Sequence, residues 1–133
     1  MTALCIEGRV ESGKGLGATF TRLDWARRIF LDGYGIDPFP GTLNLRAQPD
    51  AAKDTWRRAV ERGRLFKAPI SDACDARCLA AVIRHGDRET AGVIVVPLVE
   101  GYPDDQIELV AAIHLREYLG VVDGDSVTLD VAI

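Results

Sequence analysis

The sequence predicts a mainly β fold, a small barrel into which short helices are inserted. Three observations predict it: many short strand-like runs, glycine-rich turns between them, and only two or three segments with helical spacing. The chain of 133 residues has the length of one domain, and a domain of that size can bury well over half of its unfolded surface. We therefore expect residues 1–133 to form a single domain.

The first half of the chain alternates extended and helical patterns. In order, it predicts a strand at 4–11, a glycine-rich loop at 13–17 and a short helix at 23–31. An irregular segment at 34–44 runs into a strand at 43–45, and a polar helix or helical loop follows at 49–62. The first helix has apolar residues on one face, with Asp24 as the expected N-cap. Gly33 and Gly35 are expected to end it.

The second half of the chain is richer in strands. It predicts strands at 65–70, 78–83 and 91–99, a turn at 85–88, a strand followed by a helix within 107–118, a turn at 122–127 and a last strand at 127–131. The run Val93–Val96 is β-branched throughout, which strands favour. No internal repeat and no linker interrupts the pattern.

Composition and charge exclude several classes of protein. The formal net charge of −4 and the acidic pI of about 5.1 weigh against a nucleic-acid-binding protein, whose affinity comes from clustered Lys and Arg. No apolar run approaches the roughly 20 residues of a membrane span, and Met1–Val10 shows no signal peptide, so we expect a cytoplasmic protein without membrane contact. Three sparse cysteines, Cys5, Cys74 and Cys78, are expected to be reduced.

The glycine-rich loop has a functional and a structural interpretation. Its sequence, Gly13-Lys14-Gly15-Leu16-Gly17, exposes backbone amides that can bind a phosphate, to which Lys14 would add a charge. It matches neither the Walker loop nor the dinucleotide fingerprint. Glycines at alternate positions also occur in bulged barrel strands, so both interpretations stay open.

Further polar residues are candidates for chemistry. Thr42 and Asn44 are two positions apart, so an extended segment would place both side-chain oxygens on one side, where they could bind Mg²⁺ or local backbone. Glu108 could take a proton from a hydroxyl and Arg116 could bind phosphate, although a surface salt bridge is the commoner role of such residues. Cys74, Cys78 and His85 could suggest a zinc site, but a fourth ligand is missing. The interpretation that the two cysteines bind no metal is therefore favoured.

Five segments in order carry a resemblance to a known family: EGRVESGKG (7–15), PGTLNL (40–45), GVIVVP (92–97), LRE (115–117) and DGD (123–125). Together they resemble the archaeal CTP-dependent riboflavin kinases over nearly the whole chain. The resemblance implies a six-stranded cradle-loop barrel. It also implies phosphoryl transfer from CTP to the 5′-hydroxyl of riboflavin, which gives FMN and CDP.

The resemblance also assigns roles to residues. It implies nucleotide binding by Gly13, Lys14, Gly15, Leu16, Gly17, Ala18, Ile113, His114, Leu115 and Arg116. Thr42 and Asn44 would hold Mg²⁺, and Glu108 would bind the flavin beside its 5′-hydroxyl as the candidate base. Glu100 would also be near the flavin, where the family has a small hydroxyl residue. Ala112 replaces a proline of the family pattern, and His114 replaces a lysine.

Two other functions compete with this interpretation. Related barrels serve as non-catalytic nucleotide- or flavin-sensing modules, because a fold does not determine a function. We recognise no helix-turn-helix segment ahead of the predicted barrel and therefore expect no built-in regulator. A kinase for another small alcohol is the third hypothesis. The sequence predicts no oligomeric state.

Overall fold

A computed structural model of the protein describes residues 3–12, 23–48, 50–68 and 74–132. Its strands are β1 (Ala3–Glu11), β2 (Leu43–Ala47), β3 (Arg64–Phe66), β4 (Ala76–His85), β5 (Arg88–Pro97), β6 (Gln106–Val110) and β7 (Ser126–Ala132). Its helices are α1 (Asp24–Tyr34), α2 (Asp50–Glu61) and α3 (Leu115–Leu119). The prediction of a mainly β fold with short inserted helices is confirmed.

The sheet closes on itself. Its strand order is β3-β4-β5-β6-β2-β1-β7, and β7 also pairs with β4. Six antiparallel strands therefore form a closed barrel, and β3 extends it beside the first residues of β4. Because the barrel is closed, its six strands have no free edge to which a strand of another chain could pair. The six-stranded barrel implied by the resemblance is confirmed.

Alternate residues of the strands fill the interior of the barrel. Ile6, Leu45, Ile83, Leu109 and Leu129 are all buried there, as the period of two along a strand requires. Burying one such side chain fully contributes about 1.5–3 kcal/mol. Trp56 of α2 and two leucines of α3 join the same cluster, so these helices pack onto the barrel core.

Helix α1 packs on the outside of the barrel, where Phe30 joins a second buried cluster with side chains of β4, β5 and β6. Its predicted N-cap, Asp24, and its predicted end at Gly33 are wrong, and its predicted end at Gly35 is confirmed. The N-cap is Leu23, whose backbone is extended and whose side chain makes no capping hydrogen bond, and Asp24 is the first helical residue. The helix also continues through Gly33 and ends at Gly35, whose φ of 67° is the left-handed conformation that glycine adopts without strain.

The later strands differ from their predicted limits mainly in length. β4 and β5 are each ten residues long and are joined by a tight turn at Gly86, which has a φ of 60°. The predicted strand 65–70 is confirmed at 65–66, as β3, and is wrong at 67–68, whereas 69–70 lie outside the described residues. Over the described ranges, no helix is long and apolar enough to cross a bilayer.

Candidate active site

Three polar side chains lie together on the outward face of β2 and β6. Thr42, just before β2, and Asn44 alternate with the buried core residues Leu43 and Leu45, which turns them away from the barrel interior. Asn44 is paired with Glu108 of β6, and directly opposite residues of antiparallel strands project to the same face. The strand register therefore brings the predicted metal ligands next to the predicted base.

The carboxylate of Glu108 is held by two hydroxyl groups. Glu108 is buried and only 4% exposed. Thr42 Oγ1 donates a hydrogen bond to Oε1 at 3.2 Å, and the Tyr102 hydroxyl donates one to Oε2 at 2.5 Å. These bonds compensate for the cost of removing a carboxylate from water. A carboxylate has about four acceptor positions, so capacity remains for a substrate hydroxyl.

A cavity of about 240 Å³ opens beside Thr42, and we call it the aromatic cavity. Residues 39–43 form one wall, and the predicted nucleotide segment 113–116 lies on the other. The Phe39 ring stacks on the His114 imidazole, with centroids 5.1 Å apart and planes inclined by 22°. The backbone amide of Phe39 donates to Ala111 O at 2.8 Å, which fixes the two walls to each other.

Arg116 of the aromatic cavity is oriented by Asp123. Its Nη2 lies 3.0 Å from Asp123 Oδ1, and the Ser12 hydroxyl donates to Oδ2 of the same carboxylate at 2.6 Å. The hydrogen bond from Ser12, and then that from Arg116, lower the pKa of Asp123 below its usual value. Ser12 directly precedes the predicted phosphate loop, Gly13–Ala18, which lies outside the described residues.

A second cavity of about 440 Å³ lies between α2 and the loop 98–105, and we call it the loop groove. Its lining includes Trp56, Leu98 and Glu100, and Tyr102 also contributes to it. Tyr102 therefore lines the loop groove and also donates its hydroxyl proton to Glu108. The Glu108 carboxylate is thus hydrogen-bonded to Thr42, which lines the aromatic cavity, and to Tyr102, which lines the loop groove.

The predicted site residues thus form two groups. Thr42 and the segment 113–116 share the aromatic cavity, whereas the exposed Glu100 lies in the loop groove. Sequence reasoning missed Phe39 and Tyr102. Neither residue belongs to a periodic pattern, and their roles depend on contacts that only the folded chain provides: a stack across two walls and a hydrogen bond from a loop.

The side-chain oxygen atoms of Thr42 and Asn44 are suitable ligands for a hard divalent cation. Mg²⁺ prefers oxygen ligands and is commonly held by few protein groups together with substrate phosphates. Asn44 is 9% exposed, and its side-chain amide oxygen is of the type that Mg²⁺ binds. Thr42 uses its proton toward Glu108 and keeps its lone pairs. Among the described residues, no group of three His, Cys, Asp or Glu side chains forms a metal site, so no zinc cluster includes Cys74 and Cys78.

Comparison with known proteins shows which family the chain belongs to. A family model named CTP-dep_RFKase, with the description "Domain of unknown function DUF120", matches residues 10–131. The chain is 35% identical over 127 residues to a riboflavin kinase of Archaeoglobus fulgidus, with 95% of this chain and 54% of that protein covered. It is 33% identical to a riboflavin kinase of Pyrobaculum islandicum, covering 95% of this chain and 59% of that protein.

A riboflavin kinase of Saccharolobus solfataricus is 33% identical over 129 residues, with 95% of this chain and 73% of that protein covered. The chain thus spans from about half to about three quarters of the length of these relatives. The family match extends over most of the barrel, from β1 to β7. The chain belongs to the CTP-dependent riboflavin kinase family.

Proposed function

We propose that this chain transfers the γ-phosphoryl group of CTP to the 5′-hydroxyl of riboflavin and releases FMN and CDP. One observation carries the proposal: the Glu108 carboxylate is hydrogen-bonded to one residue that lines the aromatic cavity and to one that lines the loop groove. A nucleotide in the first and a flavin in the second would meet at this carboxylate. The names of the relatives support riboflavin, and the name of the family supports CTP.

The aromatic cavity would hold the nucleotide. The stacked pair Phe39 and His114 offers a flat apolar surface to a pyrimidine ring, and Arg116, fixed by Asp123, can donate to a phosphate or to a base edge. The glycines and Lys14 of the loop 13–18 would bind the phosphates through backbone amides and one positive charge. Ser12, which directly precedes that loop in the sequence, donates to Asp123, the residue that orients Arg116.

Thr42 and Asn44 would hold Mg²⁺ through neutral oxygens. When bound, the ion supplies positive charge that offsets the negative charge of the phosphates. Two neutral protein ligands are sufficient where phosphate oxygens complete the coordination. The pairing of Asn44 with Glu108 keeps the proposed metal ligands and the proposed base on adjacent strands of a rigid barrel.

The flavin half of the site would lie in the loop groove. Trp56, Leu98 and Tyr102 give the groove an apolar lining that suits a flat tricyclic ring. The 5′-hydroxyl would then lie beside Glu108, whose carboxylate accepts its proton. Glu100 would contact the flavin from the loop, as a carboxylate where the family has a small hydroxyl residue.

The reaction is mainly a matter of positioning. The 5′-oxygen forms a bond to the γ-phosphorus, the bond from that phosphorus to the bridging oxygen breaks, and CDP leaves with the bonding electrons. The proton of the attacking hydroxyl passes to Glu108. Phosphoryl transfer needs alignment and neutralised charge more than covalent catalysis, and a carboxylate hydrogen-bonded to residues of both cavities would serve that alignment.

A direct assay tests the proposal. The protein is incubated with riboflavin and Mg²⁺, with CTP, ATP, GTP or UTP in separate reactions, and FMN is separated from riboflavin by chromatography. We expect FMN with CTP in excess of the other donors, and its loss in Glu108→Gln. FMN formed only from ATP would contradict the donor assignment. Ligand binding without FMN from any donor would favour a sensing module, and turnover of another alcohol alone would contradict riboflavin.

A further inference from the structure

The loop between β5 and β6 places one phenol directly on the buried carboxylate. Tyr102 packs against the barrel core, and its hydroxyl donates to Glu108 Oε2 at 2.5 Å. An O–H···O⁻ bond of this length belongs to the short, charge-assisted class, which is roughly twice as strong as a neutral hydrogen bond. The contact links a loop residue to a strand residue through a bond that resists rotation of the carboxylate.

We propose that Tyr102 is a positioning residue that fixes the orientation of the Glu108 carboxylate. This inference rests on the proposed function, in which Glu108 accepts the proton of the riboflavin 5′-hydroxyl. Tyr102 holds Oε2 and Thr42 holds Oε1, so the two hydroxyls together define the plane of the carboxylate. With Tyr102 alone removed, the carboxylate keeps one weaker bond of 3.2 Å and can turn about its last torsion.

The loop that carries Tyr102 is itself fixed. The Tyr102 amide donates to Val99 O at 3.2 Å, and Gly101 between them has a φ of 85°, a conformation that favours glycine. Asp105, at the end of the loop, accepts a hydrogen bond from Arg46 of β2 at 2.6 Å. The position of the phenol is therefore determined at both ends of the loop, which is what a positioning role requires.

The phenol remains a donor throughout the working pH range of an enzyme. Burial raises the pKa of Tyr102 well above its usual value, and the hydrogen bond to Glu108 raises it further. Protonated Tyr102 can only donate toward Oε2, so the remaining acceptor positions of Glu108 stay open to the substrate hydroxyl. The same phenol forms part of the loop groove, so groove geometry and carboxylate orientation depend on one side chain.

The test replaces only the hydroxyl. Tyr102→Phe keeps the ring in the groove, and Tyr34→Phe serves as the matched control because Tyr34 packs against the separate outer cluster around Phe30. We expect kcat for FMN formation to fall about 10- to 100-fold in Tyr102→Phe, with the KM values for riboflavin and nucleotide within about twofold of wild type. The control should retain wild-type kcat. An unchanged kcat in Tyr102→Phe, or a loss confined to KM, would overturn the proposal.

A measurement without turnover separates this inference from the proposed function. The hydroxyl proton of a short, partly buried bond to a carboxylate gives a downfield proton NMR resonance, which we expect in wild type and Tyr34→Phe and not in Tyr102→Phe. If wild type forms no FMN, the proposed function fails, and this resonance still decides whether Tyr102 holds Glu108. If FMN forms and the resonance is absent from wild type, the positioning role fails alone.

Discussion

The hydroxyl of Thr42 is proposed both to bind Mg²⁺ and to hold the Glu108 carboxylate. Removing it should lower turnover much more than it lowers the stability of the fold. Thr42→Val removes the hydroxyl at nearly constant volume and leaves Glu108 Oε1 without its donor at 3.2 Å. A hydrogen bond to a charged group contributes about 1.5–3 kcal/mol, and the long distance and partial exposure of Thr42 place this one near 1.5 kcal/mol. For a chain of this size the melting temperature should fall by about 4–6 °C.

Turnover should fall much further than stability. The same hydroxyl is a proposed Mg²⁺ ligand and orients the proposed base, so we expect kcat to drop at least about 100-fold, equivalent to about 2.8 kcal/mol of barrier. Thr42→Ser, which keeps the hydroxyl, should retain most of the activity. FMN formation and thermal unfolding are measured on both variants and on Asn44→Ala, which should resemble Thr42→Val in activity.

Either of two results would refute this reasoning. Wild-type turnover in Thr42→Val would show that the hydroxyl serves neither the metal nor Glu108. Equal loss of turnover in Thr42→Ser and Thr42→Val would show that the methyl group and its packing matter rather than the hydroxyl oxygen.

Three further predictions concern the barrel and the nucleotide half of the site. Gly92→Ala should lower the free energy of unfolding in urea by about 1–3 kcal/mol, because an added Cβ would lie 2.9 Å from the Val110 carbonyl oxygen. An unchanged urea midpoint would contradict this close approach of β5 and β6. Burial raises the pKa of Cys78 from 9.0 to about 12, so its stabilising contribution is complete below pH 9 and is lost as the pH rises toward 12. Cys78→Ala should flatten the fall of unfolding free energy across that window, and an unchanged slope would contradict burial of the thiol. Arg116→Ala should raise KM for CTP about 10-fold or more with little change in KM for riboflavin. Asp123→Asn weakens the ion pair that orients Arg116, so it should raise KM for CTP by a smaller factor. A change confined to KM for riboflavin would contradict the assignment of Arg116 to nucleotide binding.

Local patterns were sufficient to predict most of the elements. The β-branched run at 93–96 lies in β5, and the apolar face of residues 25–30 forms a helix packed on the barrel. The helix limits failed because capping depends on backbone geometry: Leu23 keeps the extended conformation of an N-cap, and Asp24 enters the helix. There its negative charge still lies favourably in the first turn.

Local sequence patterns alone could not predict that Thr42, Asn44 and Glu108 lie close together. It depends on the register of β2 against β6, which is set by how the two strands share the core and not by either sequence alone. The resemblance to a family supplied these residues together. Tyr102 and Phe39 were missed because each acts across a long loop or between two separate segments, where no spacing rule applies.

A crystal structure of the protein with CDP, Mg²⁺ and riboflavin would show whether nucleotide and flavin meet at Glu108. We expect the nucleotide in the aromatic cavity beside Phe39 and His114, the flavin ring in the loop groove, and the 5′-oxygen within about 3 Å of the Glu108 carboxylate. Riboflavin bound elsewhere, such as on the outer face beside α1, or a 5′-oxygen turned away from Glu108, would contradict this expectation.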